Sequence, residues 1–149
     1  MSETFLTNFL QAAQVITKAE RGMAVDSNLE ILATLNLSDA ELDEPSFGEC
    51  AEKTLNQALD SDEAIITNNL IVDPANAPDT NTNLANLRFV VAIPLSGIGA
   101  IYLDQRIKTG ILISQEIVQN LMGLVKHVRD NKLETSTPEE MVAIYQQIM

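Results

Sequence analysis

The chain has 149 residues, 46% of them hydrophobic, and a formal net charge of −12. That length and apolar content suit one domain with a real core and exclude disorder for the bulk of the chain. So acidic a chain, with no strong basic patch, is excluded as a binder of nucleic acid or of anionic membrane surfaces, since both are held by Lys and Arg. No apolar run approaches the roughly 20 residues that span a bilayer. The start Met1-Ser2-Glu3-Thr4 lacks the basic region of a secretory signal, so a cytoplasmic chain is expected. One cysteine, Cys50, excludes an internal disulfide. With His127 as the only other soft ligand, a structural zinc site is not expected either.

In chain order, residues 3–19 read as a helix, with Phe5, Leu6, Phe9, Leu10, Ala13, Val15 and Ile16 at helical spacing. Arg21-Gly22 breaks it. Met23–Val25 and Leu29–Leu35 read as strands around the turn triplet Asp26-Ser27-Asn28. Glu30 and Thr34 alternate with apolar residues in the second strand, which places it near a sheet edge. The acidic stretch with Asp39, Glu41, Asp43 and Glu44 reads as a solvated loop ending at Pro45, because it lacks the spacing and central Gly of a calcium loop. Ser46, with Glu49 three residues on, has the spacing of a capping box, and predicts a helix that ends at Asp60-Ser61-Asp62. Ala64–Thr67 is a short strand. Residues 68–87, rich in Asn, Asp and Pro, form a long loop of the kind that serves as a lid.

Residues 88–104 are the most informative stretch. Two β-type runs flank Ser96-Gly97, and both faces of both runs are apolar. A strand with one wet face shows polar residues at every second position. This hairpin is therefore expected at the centre of a sheet covered on both sides. Gln105–Gly110 is a polar connection, and Ser114 caps a helix reaching about Asp130. Lys126, His127, Arg129 and Lys132 complement that helix's dipole. A polar linker at 131–136 leads to a last short helix with Thr137 as cap and Pro138 at its first position.

The order of these pieces resembles a GAF domain, a small sensory module of many bacterial signalling proteins. The resemblance spans about residues 5–130. It is carried by Ala19–Asp26, Asp62–Asn68, Arg88–Leu95, Ile98–Asp104 and Ile113–Glu116, with the Pro-Leu, turn, Gly-x-Ile-Tyr-Leu-Asp order the most specific part. It implies an α+β fold of GAF-like or PAS-like kind. A central antiparallel sheet would carry the terminal helices on one face and the middle helix plus variable loop on the other, enclosing a small-molecule pocket. It also implies dimerisation through the terminal helices and a place inside a larger signalling or transcription-regulating protein. The Asn-Lys-x-Phe-Asp-Glu signature of cyclic-nucleotide-binding members is missing, and Cys50 is not followed by His as in bilin-attaching members. No cofactor is assigned, and the small molecule is unknown.

The expected ligand-binding residues border the chamber between sheet, middle helix and loop: Phe47, Cys50, Thr67, Asn68, Asp79, Asn83 and Arg88. Arg88 suits an anionic group by a forked contact, or else pairs with a surface carboxylate. Cys50 reads as a small hydrophobe. In the closing helix, Ile117, Leu121, Leu124 and Val128 form one stripe and Val118, Met122 and Val125 a second. The second stripe, with Phe5, Phe9 and Ile16, is the expected homodimer seam. No nucleophile–base pair can be assembled from one His and one Cys, so no enzyme is expected. The organisation expected is a sensory domain over residues 1–132, followed by a linker and short helix over 133–149. The alternative is a ligand-free dimerisation or protein-interaction module.

Overall fold

The two apolar runs around Ser96-Gly97 do form the centre of a sheet. In the computed structural model, residues 2–37, 40, 45–68, 87–106 and 115–148 are described. For 2, 3, 45–47, 50, 67, 68, 87–89 and 106 the description is of the backbone. The elements are α1 (Ser2–Thr17), β1 (Arg21–Asp26), β2 (Ile31–Leu35), α2 (Pro45–Ser61), β3 (Ile65–Asn68), β4 (Leu87–Leu95), β5 (Gly99–Arg106), α3 (Gln115–Asp130) and α4 (Pro138–Ile148). The sheet has five strands in the order β2-β1-β5-β4-β3, with every neighbouring pair antiparallel. Ile98 N–H donates to the Leu95 carbonyl at 2.9 Å and closes the central turn. Gly97 supplies the positive φ of 78° that the turn requires. Gly99 is needed for a different reason: a Cβ there would collide with the Val25 carbonyl oxygen on β1.

Alternation along the strands splits the core in two. Val91, Ile93, Leu95, Ile101 and Leu103 pack with α1, α3 and α4 on one face. Val90, Ala92, Ala100 and Tyr102, with Met23 and Val25 of β1, pack with Ala51, Leu55 and Ala58 of α2 on the other. The expected α+β arrangement is therefore present, with β2 at an edge.

Several boundaries move, each for a local reason. β2 starts at Ile31, not Leu29. The Asp26 carboxylate accepts the N–H groups of Asn28 and Glu30, and Leu29 takes a left-handed φ of 65°. α2 starts at Pro45, so Ser46 lies inside its first turn rather than capping it; proline's fixed φ suits that first position. β5 runs on to Arg106, because its ladder with β4 continues past Asp104 to pair Arg106 with Leu87. α3 ends in a Schellman motif, with Lys132 at φ 57° and Leu133 N–H donating to the Val128 carbonyl at 2.8 Å. Arg129, expected only to offset the helix dipole, donates to the Ser96 carbonyl at 2.7 Å and ties α3 to the central turn.

The expected dimer seam is corrected by burial. Phe5, Phe9, Val118 and Val125 all lie inside the chain, and only Ile16 and Met122 remain half-buried. The reason is α4. Its Met141 and Tyr145 join the same core cluster as α1 and α3, in which Val118 and Val125 are buried with Leu121, Leu124 and Val128. Reciprocal bonds between Thr137 and Glu140 start α4: Thr137 N–H donates to the carboxylate at 2.9 Å and Glu140 N–H to the hydroxyl at 3.2 Å. Asn8 of α1 donates to the Ser136 carbonyl at 3.1 Å and pins the preceding linker. Among the described residues, no helix is long and apolar enough to cross a membrane.

Candidate functional site

Among the described residues, α2 is the helix that packs on the second face of the sheet. Between α2, β1 and the β1–β2 turn lies a hollow of about 380 Å³, lined by Met23, Val25, Asn28, Leu29, Ile31, Gly48, Ala51, Glu52 and Leu55. Its floor comes from elementary strand geometry. Met23 and Val25 sit two residues apart on β1 and so share a face, with Ala51 and Leu55, one turn apart on α2, opposite them. Leu29, in a left-handed conformation at the end of the turn, and Ile31 at the start of β2 form the wall. Ile31 keeps 49% of its surface exposed, against 1% for Leu55 on the floor.

Beside the hollow on the same face is a buried ion pair. The β1–β5 register sets Arg21 opposite Asp104 and Met23 opposite Tyr102. The Arg21 guanidinium donates to both Asp104 carboxylate oxygens, from Nε at 2.8 Å and from Nη2 at 2.7 Å. The Tyr102 hydroxyl donates to Asp104 Oδ2 at 2.7 Å. Asp104 is fully buried, and burial pushes its carboxyl above the ordinary value of 3.8, against the opposing pull of Arg21 and Tyr102. Asp104 is the only buried carboxylate among the described residues. It is held by two donors, and α3, which carries His127, packs on the opposite face.

The sequence-predicted ligand residues are placed only in part. Cys50 and Phe47 fall on α2, Thr67 and Asn68 on β3, where they pair with Val90 and Phe89, and Arg88 on β4. Their side chains, and Asp79 and Asn83 altogether, lie outside the described residues, as does loop 69–86. The hollow opens at the β1–β2 end of the sheet; Phe47 and Cys50 belong to the helix that lines it, whereas Thr67, Asn68 and Arg88 lie on β3 and β4, toward the other end. Sequence reasoning missed Met23, Leu29, Ile31 and Glu52 as lining, and missed Arg21 with Asp104. A signal for the pair was present: two opposite charges within strands that otherwise bury both faces require each other.

No protein-family model and no curated protein matches the chain. Among solved structures, it is similar to the GAF domain/HD domain protein from Geobacter sulfurreducens, at 15% identity and a TM-score of 0.55, covering 98% of this chain and 94% of that one. The fold is GAF-like.

Proposed function

We propose that this chain is a non-catalytic sensory or regulatory module that takes a small molecule into the hollow between α2 and the β1–β2 end of the sheet. The observation that carries the reading is the hollow itself: about 380 Å³, with an apolar floor and two polar side chains, Asn28 and Glu52, in its lining. Small-molecule sites have this size and this composition. The GAF-like fold supports it, as does the engagement of Asp104 by Arg21 and Tyr102, which leaves that carboxylate a structural anchor rather than an acid or base. A ligand acts by favouring one setting of α2 over another, and any output follows from that difference in affinity. Thermal melting against a metabolite panel tests the reading. A ligand raises the midpoint by mass action, and the rise is lost in Ala51→Leu, which fills the hollow, and in Ile31→Asp, which removes its exposed apolar wall. No rise with any compound defeats it.

A second reading is a module that pairs with another copy through its helical layer. It is favoured by Val15, 57% exposed beside a groove that Gln11, Gln14, Leu35, Pro138, Glu139 and Val142 also line. In that reading the seam uses Val15 rather than Phe5 or Phe9. Light scattering of the wild type and Val15→Asp measures it: a dimer mass that falls to a monomer mass supports pairing there, and a wild-type monomer at high concentration ends it.

A further inference from the structure

We infer that the hollow takes a cationic amphiphile, an apolar ring or short aliphatic body carrying one ammonium group; the inference rests on the small-molecule reading above and names the ligand's chemical class. The floor side chains Met23, Val25, Ala51 and Leu55 offer no strong hydrogen-bond partner, so a polar group seated there would lose its water without compensation. An apolar body instead covers Ile31, one of the three large apolar side chains exposed among the described residues. The charge of the lining then selects the head group. Among the described residues, Glu52 is the only charged side chain in it, and it is exposed, so it stands where the hollow meets water. Arg21, the only buried cation among the described residues, lies on this face but is forked onto Asp104 and is not part of the lining. Lys53, next to Glu52, is exposed and likewise outside the lining. An anionic ligand meets a carboxylate there; an ammonium group meets a counter-charge, in a chain whose net charge of −12 draws cations toward it.

Three indoles of matched shape test the class: tryptamine (cationic), indole (neutral) and indole-3-acetate (anionic). Titrated calorimetrically at low salt, tryptamine is expected to bind about tenfold tighter than indole-3-acetate, with indole between them and the gap closing as salt rises. Glu52→Gln, at an exposed position, shrinks the gap to about twofold. Glu139→Gln removes one carboxylate from α4, far from the hollow, and leaves the gap intact. Indole-3-acetate binding as tightly as tryptamine overturns the inference. So does a gap indifferent to Glu52→Gln, or no binding of tryptamine. The melting panel reports separately on the parent reading. A neutral or acidic compound that raises the midpoint, and loses its effect in Ala51→Leu, keeps the site and defeats only the class.

Discussion

The two faces of the sheet are built from the same strands and solve different problems. On the face under α1, α3 and α4, side chains as large as Phe5, Phe9, Leu10 and Leu121 are almost wholly buried, with Phe5 and Phe9 rings 6.4 Å apart. On the face under α2, Ala51 stands with Met23, Val25 and Leu55 on the floor of a hollow, and a buried Arg–Asp–Tyr group sits beside it. Among the described residues, three helices pack on one face and a single helix of mixed polarity packs on the other. The difference locates plasticity: close packing resists deformation, whereas a lined hollow can accept a guest.

Four measurements sharpen or break this contrast. The largest effect is expected from Asp104→Asn. It removes the carboxylate on which Arg21 is forked while leaving that cation buried, at a cost of about 3–5 kcal/mol by urea unfolding. A loss under about 1 kcal/mol would mean that water reaches the pair. Next come two equal truncations on opposite faces. Leu121→Ala opens a void in the packed face and costs about 4 kcal/mol, while Leu55→Ala merely enlarges a hollow that already exists and costs about 2 kcal/mol. Equal costs would erase the contrast between the faces. Thr137→Ala, which breaks the capping box of α4, costs about 1 kcal/mol in thermal or urea unfolding. A negligible loss there would show that α4 frays without consequence for the core.

The smallest effect is a slope with pH. Asp104 binds its proton more tightly in the folded chain than in the unfolded one. Its contribution to stability is therefore complete below about the ordinary value of 3.8 and is lost as pH rises through the raised folded value. Subtracting the urea midpoints of Asp104→Asn from those of the wild type across that window isolates it. The difference is expected to fall with rising pH; a rising difference contradicts the direction.

What the sequence revealed follows the range of the interaction. The unbroken apolar character of Val90–Leu95 and Ala100–Leu103, with no polar residue at every second position, is local, and it announced a sheet covered on both sides. The polar positions Glu30 and Thr34 announced the edge strand, and Thr137-Pro138 announced the last helix. Features that depend on docking were hidden. Arg21 and Asp104 are 83 residues apart and meet only through the β1–β5 register. Val118 and Val125 lie in one buried cluster with Met141 and Tyr145 of α4 and with α1, an association distant in sequence, which is why these residues read as a free seam. The hollow lies between α2 and β1, and how that helix lies across the strand is not encoded in a linear pattern.

Methyl-resolved NMR during a tryptamine titration tests the contrast most directly. Shifts are predicted at Met23, Val25, Leu29, Ile31 and Leu55, with Leu121, Leu124 and Val128 on the opposite face unmoved. Shifts centred on Val15, Leu35 and Val142, or spread evenly over both faces, would contradict the account.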